Sequence, residues 1–417
     1  MNTRIKIALT TAVTAAAALT GPLAAGPADA SAAPKTEPAP LIRAAKPVPG
    51  KYIVTLDELV DPAGAAAALG LKPAFLYSRA LNGFAVPLTP LQLTAVRNTP
   101  GVKTVEEDAK VSAPATTTVT TTTATTTAAA GSAPSAARGP APTWGLDRID
   151  QRDLPLDGTF TTAGDGAGVT AYILDTGIDY GHTEFGGPDS SRASFGFDAV
   201  GDGRQGADCN GHGTHVAGTV AGRTYGVARK AGVVSVRVLN CEGQGEYSGM
   251  IAGLDWVAKN AVQPAVLNGS LGGDKSTALD NAVTALSDAG VLPVLAAGND
   301  AKDACGVSPA SADRVLTVAA ANRDDEETDF SNRGPCVSLY APGEDVLSAK
   351  LGGGSVSLSG TSMAAPHATG VAVLYKQAHP AADSAEVAAW IDEQSTKDVL
   401  KSVGKGTANH LLFTGGR

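Results

Sequence analysis
The chain has 417 residues and a mildly acidic balance, 32 Lys and Arg against 41 Asp and Glu, for a net charge of −9. That length allows two or three domains, and the absence of a basic run argues against a nucleic-acid partner. The four cysteines form a small even set suited to an oxidising compartment.

The N-terminus carries Arg4 and Lys6, an apolar small-residue stretch through Leu19, and then Ala28-Asp29-Ala30. This is the pattern of a secretory signal peptide over residues 1–30, cut after Ala30. No later segment is long and apolar enough to span a membrane, so a secreted, extracellular product is expected. Residues 31–49 read as a short leader linker.

Residues 50–113 read as a small α+β domain. Lys51 to Leu56 predicts a strand, Pro62 to Leu69 a helix, Ala74 to Tyr77 and Gly83 to Val86 short strands, Thr89 to Arg97 a helix, and Val102 to Glu106 a last strand. The order βαββαβ is that of a ferredoxin-like unit. Residues 114–143 follow as a linker, with ten threonines in the twelve residues Thr116–Thr127 and then Ala, Gly, Pro and Ser. It has nothing to bury and predicts disorder.

From residue 144 to 417 strand and helix patterns alternate. Val169 to Leu174 is a buried-strand pattern running into Asp175-Thr176-Gly177. Asn210-Gly211-His212-Gly213-Thr214-His215 opens a small-residue helix over His212–Thr219. Helices are expected over Tyr247–Ala261, Thr277–Ala289, Thr361–Gln377 and residues 384–393. Strands are expected to end near Leu239, Leu271, Ala297 and Ala320. This alternation predicts an α/β fold, a mostly parallel sheet with helices on both faces and the site at the carboxyl ends of the strands. The tail to Arg417 is too short for an accessory domain.

Three segments of this part carry acyl-transfer chemistry. Ser362, in Gly360-Thr361-Ser362-Met363-Ala364, sits at a strand-to-helix junction where backbone N–H groups lack helical partners. Such a place favours an oxyanion on a substrate carbonyl. Taken alone, a Ser or Thr at a helix start is more often a cap. Acyl transfer also needs a base for the hydroxyl proton and a buried carboxylate to fix the base. His212 and Asp175 supply those types, in the chain order Asp, His, Ser. The buried strand Val291 to Ala297 ends at Gly298-Asn299-Asp300, where the Asn299 amide could face the oxyanion.

These motifs, with Ser270-Leu271-Gly272-Gly273 and Ala296-Ala297-Gly298-Asn299, resemble the subtilases, most closely the proteinase K and aqualysin branch, from about Trp144 onward. The resemblance implies a serine endopeptidase with Asp175, His212 and Ser362 as triad and Asn299 in the oxyanion hole; His215 is then structural. It also implies that residues 50–113 are an inhibitory and chaperoning propeptide with its C-terminal tail in the active site. First self-cleavage is expected between Ser112 and Thr118. The long threonine-rich junction departs from the family pattern.

Four thiols allow three pairings; the resemblance selects Cys209–Cys241 and Cys305–Cys336. It also suggests a structural calcium site at Asp147, Asp150, Gln151 and Asp157, hard oxygen ligands of the kind calcium takes. Thr159 stands where that pattern often has Asn, and Ser338 replaces the Asp of a second family site, which is therefore expected to be weak or absent. A zinc reading of Cys209, His212 and His215 fails for want of an H-E-x-x-H or paired C-x-x-C pattern. Gly243-Gln244-Gly245 and Ser270-Leu271-Gly272-Gly273 would form two extended edges between which a polypeptide adds as a strand. Small residues at Ala296, Ala297 and Gly298 leave room for an apolar or aromatic side chain before the scissile bond. Glu246 on the rim would favour basic residues further along. The protein is expected to act as a monomer on polypeptide substrates. A subtilase-shaped binding protein, or an esterase or ligase using the same acyl-enzyme, are the other function classes considered.

Overall fold
The computed structural model describes residues 37–113 and 139–416, together with the backbone of the short strand Thr117–Val119. The segment read as a signal peptide and most of that read as a linker lie outside the described residues.

The N-terminal unit is a sheet in the order Leu41–Ile42, Val102–Ser112, Pro47–Leu56, Gly83–Pro87, Phe75–Tyr77. Its helices, Pro62–Ala68 and Pro90–Arg97, start on side-chain caps from Asp61 and Thr89, each followed by proline. Those residues satisfy the unpaired first-turn N–H groups and preset the helical φ. Ala66 and Val96 pack with Val54, Phe84, Val86 and Val105 in a small core of this unit's own.

Two boundaries differ from the sequence reading. The unit begins before residue 50, because Leu41–Ile42 pairs parallel with Val105 and Glu106, and Ala39 is buried with its N–H on the Arg97 carbonyl. Residues 39–49, expected as leader linker, therefore belong to the folded unit. The last strand runs to Ser112, six residues past the expected end, because its second half finds a partner edge on the larger unit. Ala109 and Val111 are buried there while Lys110 and Ser112 face solvent, the two-residue alternation of a strand with one face covered.

The larger unit is built on a nine-stranded sheet, in the order Ala193–Asp198, Gly232–Arg237, Thr170–Asp175, Ala265–Gly269, Leu292–Ala296, Leu316–Ala321, Leu339–Pro342, His410–Leu411, Thr396–Lys397. All neighbours are parallel except the last pair. That last pair lies in the tail, where the sequence reading placed no strand. The inner strands of the sheet are buried on both faces, so they are continuously apolar rather than alternating. Thr170–Asp175 shows the consequence: Ala171 and Ile173 face one core with the helices His212–Ala221 and Thr361–Ala378, while Tyr172 and Leu174 face the other with Met250, Ile251 and Leu279. Full burial of Ile173 or Leu174 contributes about 1.5–3 kcal/mol each.

Thr170–Asp175 comes first in the chain and lies inside the sheet. Its successors go outward to one side, and Ala265–Gly269 begins the other side. Strand order therefore reverses at this pair, and a crevice opens at their carboxyl ends. The N-terminal unit covers the helices Tyr247–Asn260 and Thr277–Asp288, with Ile53, Tyr77, Ala85 and Val111 joining the second core.

Candidate active site
Asp175 ends its strand fully buried, and one carboxylate oxygen lies 2.7 Å from His212 Nδ1. The same oxygen accepts the Thr176 N–H. His212 is the first residue of its helix, and that helix presses closely on the aspartate loop. A Cβ on Gly213 would lie 2.2 Å from the Gly177 carbonyl, so only glycine fits. Burial disfavours the imidazolium, but the charge and hydrogen bond of Asp175, with Asp208 beyond, outweigh it and raise the His212 pKa above 6.5. The Nε2 atom is buried without a hydrogen-bond partner.

Asp208, to which the sequence reading gave no role, organises this loop. Its Oδ1 accepts Asn210 N–H, Gly211 N–H and the Thr176 hydroxyl, and its Oδ2 accepts the Thr214 N–H and hydroxyl. A carboxylate two residues before Asn-Gly at a helix start is the signal that could have found it. His215, one turn on, is held down to about 3 by burial and points Nε2 at the carbonyls of Val346 and Val356. It is a neutral packing residue.

Ser362 is fully buried at the second position of Thr361–Ala378. Its hydroxyl donates to the Ser270 carbonyl at 3.2 Å, and the Ser270 hydroxyl donates to the Ser362 carbonyl at 3.0 Å. Asn299 reaches the same point: its Oδ1 accepts the N–H and hydroxyl of Thr361 at 2.9 and 2.7 Å. That turns its amide nitrogen toward Gly360. A Cβ there would lie 2.9 Å from Asn299 Nδ2 and 3.7 Å from Ser362 N, so both donors border one small space. Asn332, absent from the sequence reading, holds the Asn299 loop by donating to the Ala297 carbonyl and accepting from Asp300 and Lys302 N–H.

The two edges expected to take a peptide hold the end of the N-terminal unit. Gln244, Gly245 and Glu246 pair antiparallel with Ser112, Val111 and Lys110. Ser112 exchanges two hydrogen bonds with Gly272, and Ala113 N–H donates to the Gly243 carbonyl. Beside this strand lies a cavity of about 400 Å³ lined by Leu271, Gly272, Gly273, Ala296, Ala297, Gly298 and Asn299, with Val307 and Ala310 among its further walls. On the far side of Ser362, Thr117–Val119 pairs antiparallel with Ser357–Ser359, which leads into Ser362.

The N-terminal unit also fits the larger one with carboxylates. Glu106 accepts from the Ser276 hydroxyl and Ala278 N–H at the start of Thr277–Asp288, and Asp108 accepts Ser248 N–H at the start of Tyr247–Asn260. Asp255 returns the favour, accepting N–H groups of Ser78, Arg79 and Ala80.

Disulfides join Cys209 to Cys241 and Cys305 to Cys336, one flanking the His212 loop and the other following the Asn299 loop. Asp147, Asp150, Gln151 and Asp157 come together around the turn after Trp144–Ile149. One Asp147 oxygen is buried without a partner. Burial, then the charges of Asp157 and Asp147, push Asp150 up to about 6. The carboxylates repel one another, and the orphaned Asp147 oxygen is a hard ligand of the kind a divalent cation takes. Gln151, however, uses its oxygen on Asp157 N–H and its amide on Pro155 carbonyl, and Thr159 donates to Asp157. At Ser338 the hydroxyl accepts Thr317 N–H.

A serine and a histidine at the starts of two packed helices, the histidine joined to a buried aspartate, are the residue types of a serine hydrolase. The chain belongs to the subtilase family, whose model matches residues 166–411, and a model of peptidase inhibitor I9 matches residues 75–114. It is similar to an extracellular serine proteinase of Thermus sp. (strain Rt41A), at 43% identity over 92% of this chain and 94% of the relative. It is also similar to alkaline serine exoprotease A of Vibrio alginolyticus, at 42% identity over 81% of this chain and 60% of the relative. A crystal structure of a cold adapted subtilisin-like serine proteinase matches with a TM-score of 0.63 and 48% identity, over 65% of this chain and 98% of that one. The protein is thus a serine protease with an inhibitor propeptide, and none of its described helices is long and apolar enough to cross a membrane.

Proposed function
We propose that this protein is a secreted endopeptidase, made as a self-processed zymogen, in which Ser362 attacks the scissile carbonyl. The observation that carries the reading is the propeptide strand seated between Gly243–Glu246 and Gly272, leading toward Ser362 as a substrate would. In the reaction the Ser362 hydroxyl leaves the Ser270 carbonyl for His212 Nε2, which takes its proton as the Oγ–C bond forms. Asp175 keeps Nδ1 protonated and stabilises the imidazolium. The negative charge passes to the carbonyl oxygen, which the Ser362 N–H and Asn299 amide receive. His212 returns the proton to the leaving amine, and water then hydrolyses the acyl-enzyme through the same base.

Backbone pairing with the two edges makes the enzyme tolerant of sequence, and the cavity at Ala296–Gly298 favours an apolar or aromatic residue before the scissile bond. The first bond cut lies between Ala113 and Thr117, because Ala113 is held on one side of Ser362 and Thr117 on the other. Asp147, Asp150 and Asp157, with Gln151 once its oxygen leaves Asp157 N–H, would hold a structural calcium ion, which would supply positive charge to the carboxylates and take no part in the chemistry. Casein hydrolysis by wild type and Ser362→Ala tests the central reading. Loss of proteolysis with Ser362→Ala is expected, and undiminished proteolysis overturns it. N-terminal sequencing of the first processed product checks the cleavage window.

A further inference from the structure
Glu246 stands at the end of the peptide-binding edge, one residue past the segment that holds the propeptide backbone near Ser362. Its carboxylate is partly exposed, and both of its oxygens meet Lys51 Nζ, at 2.8 and 2.7 Å. Lys110 occupies the register position directly opposite Glu246. The propeptide therefore pairs one cation, Lys51, with this carboxylate and sets a second lysine at the register position opposite it. Among the described residues, no cation of the protease unit forms a salt bridge with Glu246, so release of the propeptide frees its charge beside the cleft. Next to it lies a cavity of about 460 Å³ whose protease wall includes Ala199, Val200 and Val238. Apolar walls with a carboxylate at the rim suit a long aliphatic stem ending in a cation.

We propose that Glu246 is a specificity determinant of the mature protease, selecting Lys or Arg in the substrate residue that takes the Lys110 register. This rests on the endopeptidase reading above and deepens it. Directly opposed residues on paired strands have close Cβ atoms, and opposite charges there are favourable while like charges are unfavourable. The expected effect is about two- to fivefold in kcat/KM for Lys over Gln. Given a first cut between Ala113 and Thr117, the selected residue is the fourth to seventh before the scissile bond.

The test uses mature enzyme obtained from the full-length chain and a quenched peptide series of otherwise fixed sequence. Lys, Gln or Glu is placed in turn at the fourth to seventh residues before the cut. Wild type should prefer Lys to Glu at one position of that window, and the preference should shrink with added salt. Glu246→Gln should flatten it. Glu246→Lys, expressed with Lys51→Glu to keep the ion pair during folding, should invert it. Equal cleavage of the Lys and Glu peptides by wild type, or the same preference retained in Glu246→Gln, overturns the assignment. Failure of the endopeptidase reading would appear separately, as cleavage of these peptides by Ser362→Ala.

Discussion

The Ser270 hydroxyl donates to the Ser362 carbonyl because Pro366 cannot. In the helix Thr361–Ala378 that carbonyl would bond the N–H of the residue four further on, and Pro366 has none. Ser270, at the end of a central strand, fills the gap and ties the serine-bearing helix to one peptide-binding edge. Ser270→Ala leaves a buried carbonyl unpaired, which costs about 1–3 kcal/mol. We expect a lower Tm, measured calorimetrically on an inhibited enzyme, with a fall in kcat larger than the change in KM.

The pairing of Asp175 with His212 makes activity pH-dependent in a definite direction. His212 works as base only when neutral, and its pKa is raised above 6.5, so kcat/KM of the mature enzyme should climb with pH through a value above 6.5. Asp175→Asn removes the charge that raises it. That variant should lose roughly 10⁴-fold in kcat, and any residual activity should titrate at lower pH. A profile declining above neutrality in the wild type would contradict the assignment.

Asn299 contributes a single donor to the space beside Gly360. Replacing it with Ala should cost on the order of 10²–10³ in kcat with little change in KM, since the bond is made chiefly to the oxyanion. Steady-state kinetics on one peptide substrate separate the two parameters.

Glu106 and Asp108 cap the two helices that the propeptide covers. Each cap is worth about 1 kcal/mol, so the double variant Glu106→Ala, Asp108→Ala, which removes both acceptors, should release the propeptide sooner and shorten the lag before activity appears. Desolvation outweighs their hydrogen bonds and raises both carboxyls above their ordinary values of 4.5 and 3.8. They thus bind protons more tightly in the complex than when free. Their contribution is complete below those ordinary values and is lost as pH rises through the raised ones. Propeptide release, followed by the onset of peptide hydrolysis, should therefore be slower near pH 5 than above neutrality.

A calcium ion at the Asp147, Asp150 and Asp157 cluster would relieve its crowding. Chelator should lower the Tm, calcium at about 100 times its Kd should restore about 2.7 kcal/mol, and Asp147→Asn should blunt both effects. Activity measured immediately after chelation should be unchanged, because the hydrogen bonds of these residues go to Pro155, Gly158, Thr159 and Thr161 and to one another rather than to Ser362, His212 or Asp175.

Much of this was legible in the chain. Asp175, His212 and Ser362 each sit at a junction written locally, a buried strand or glycine-loosened turn meeting a small-residue helix. The βαββαβ order was legible for the same reason. What escaped were partnerships between distant segments. Glu106 looks like one carboxylate in an acidic run until its partners Ser276 and Ala278 are seen 170 and 172 residues away. Asn332 holds the Asn299 loop from beyond the next strand, and nothing near it announces that role. The strand beyond Glu106 was cut short because its pairing edge belongs to another unit. The strands Thr396–Lys397 and His410–Leu411 are too short to show a period.

The strands flanking Ser362 have one further consequence. Ser112 on one side and Thr117 on the other are parts of a single polymer that also carries the nucleophile. Dilution cannot separate them, so the first cut should follow a clock internal to each molecule, with a half-time that stays the same however few copies surround it.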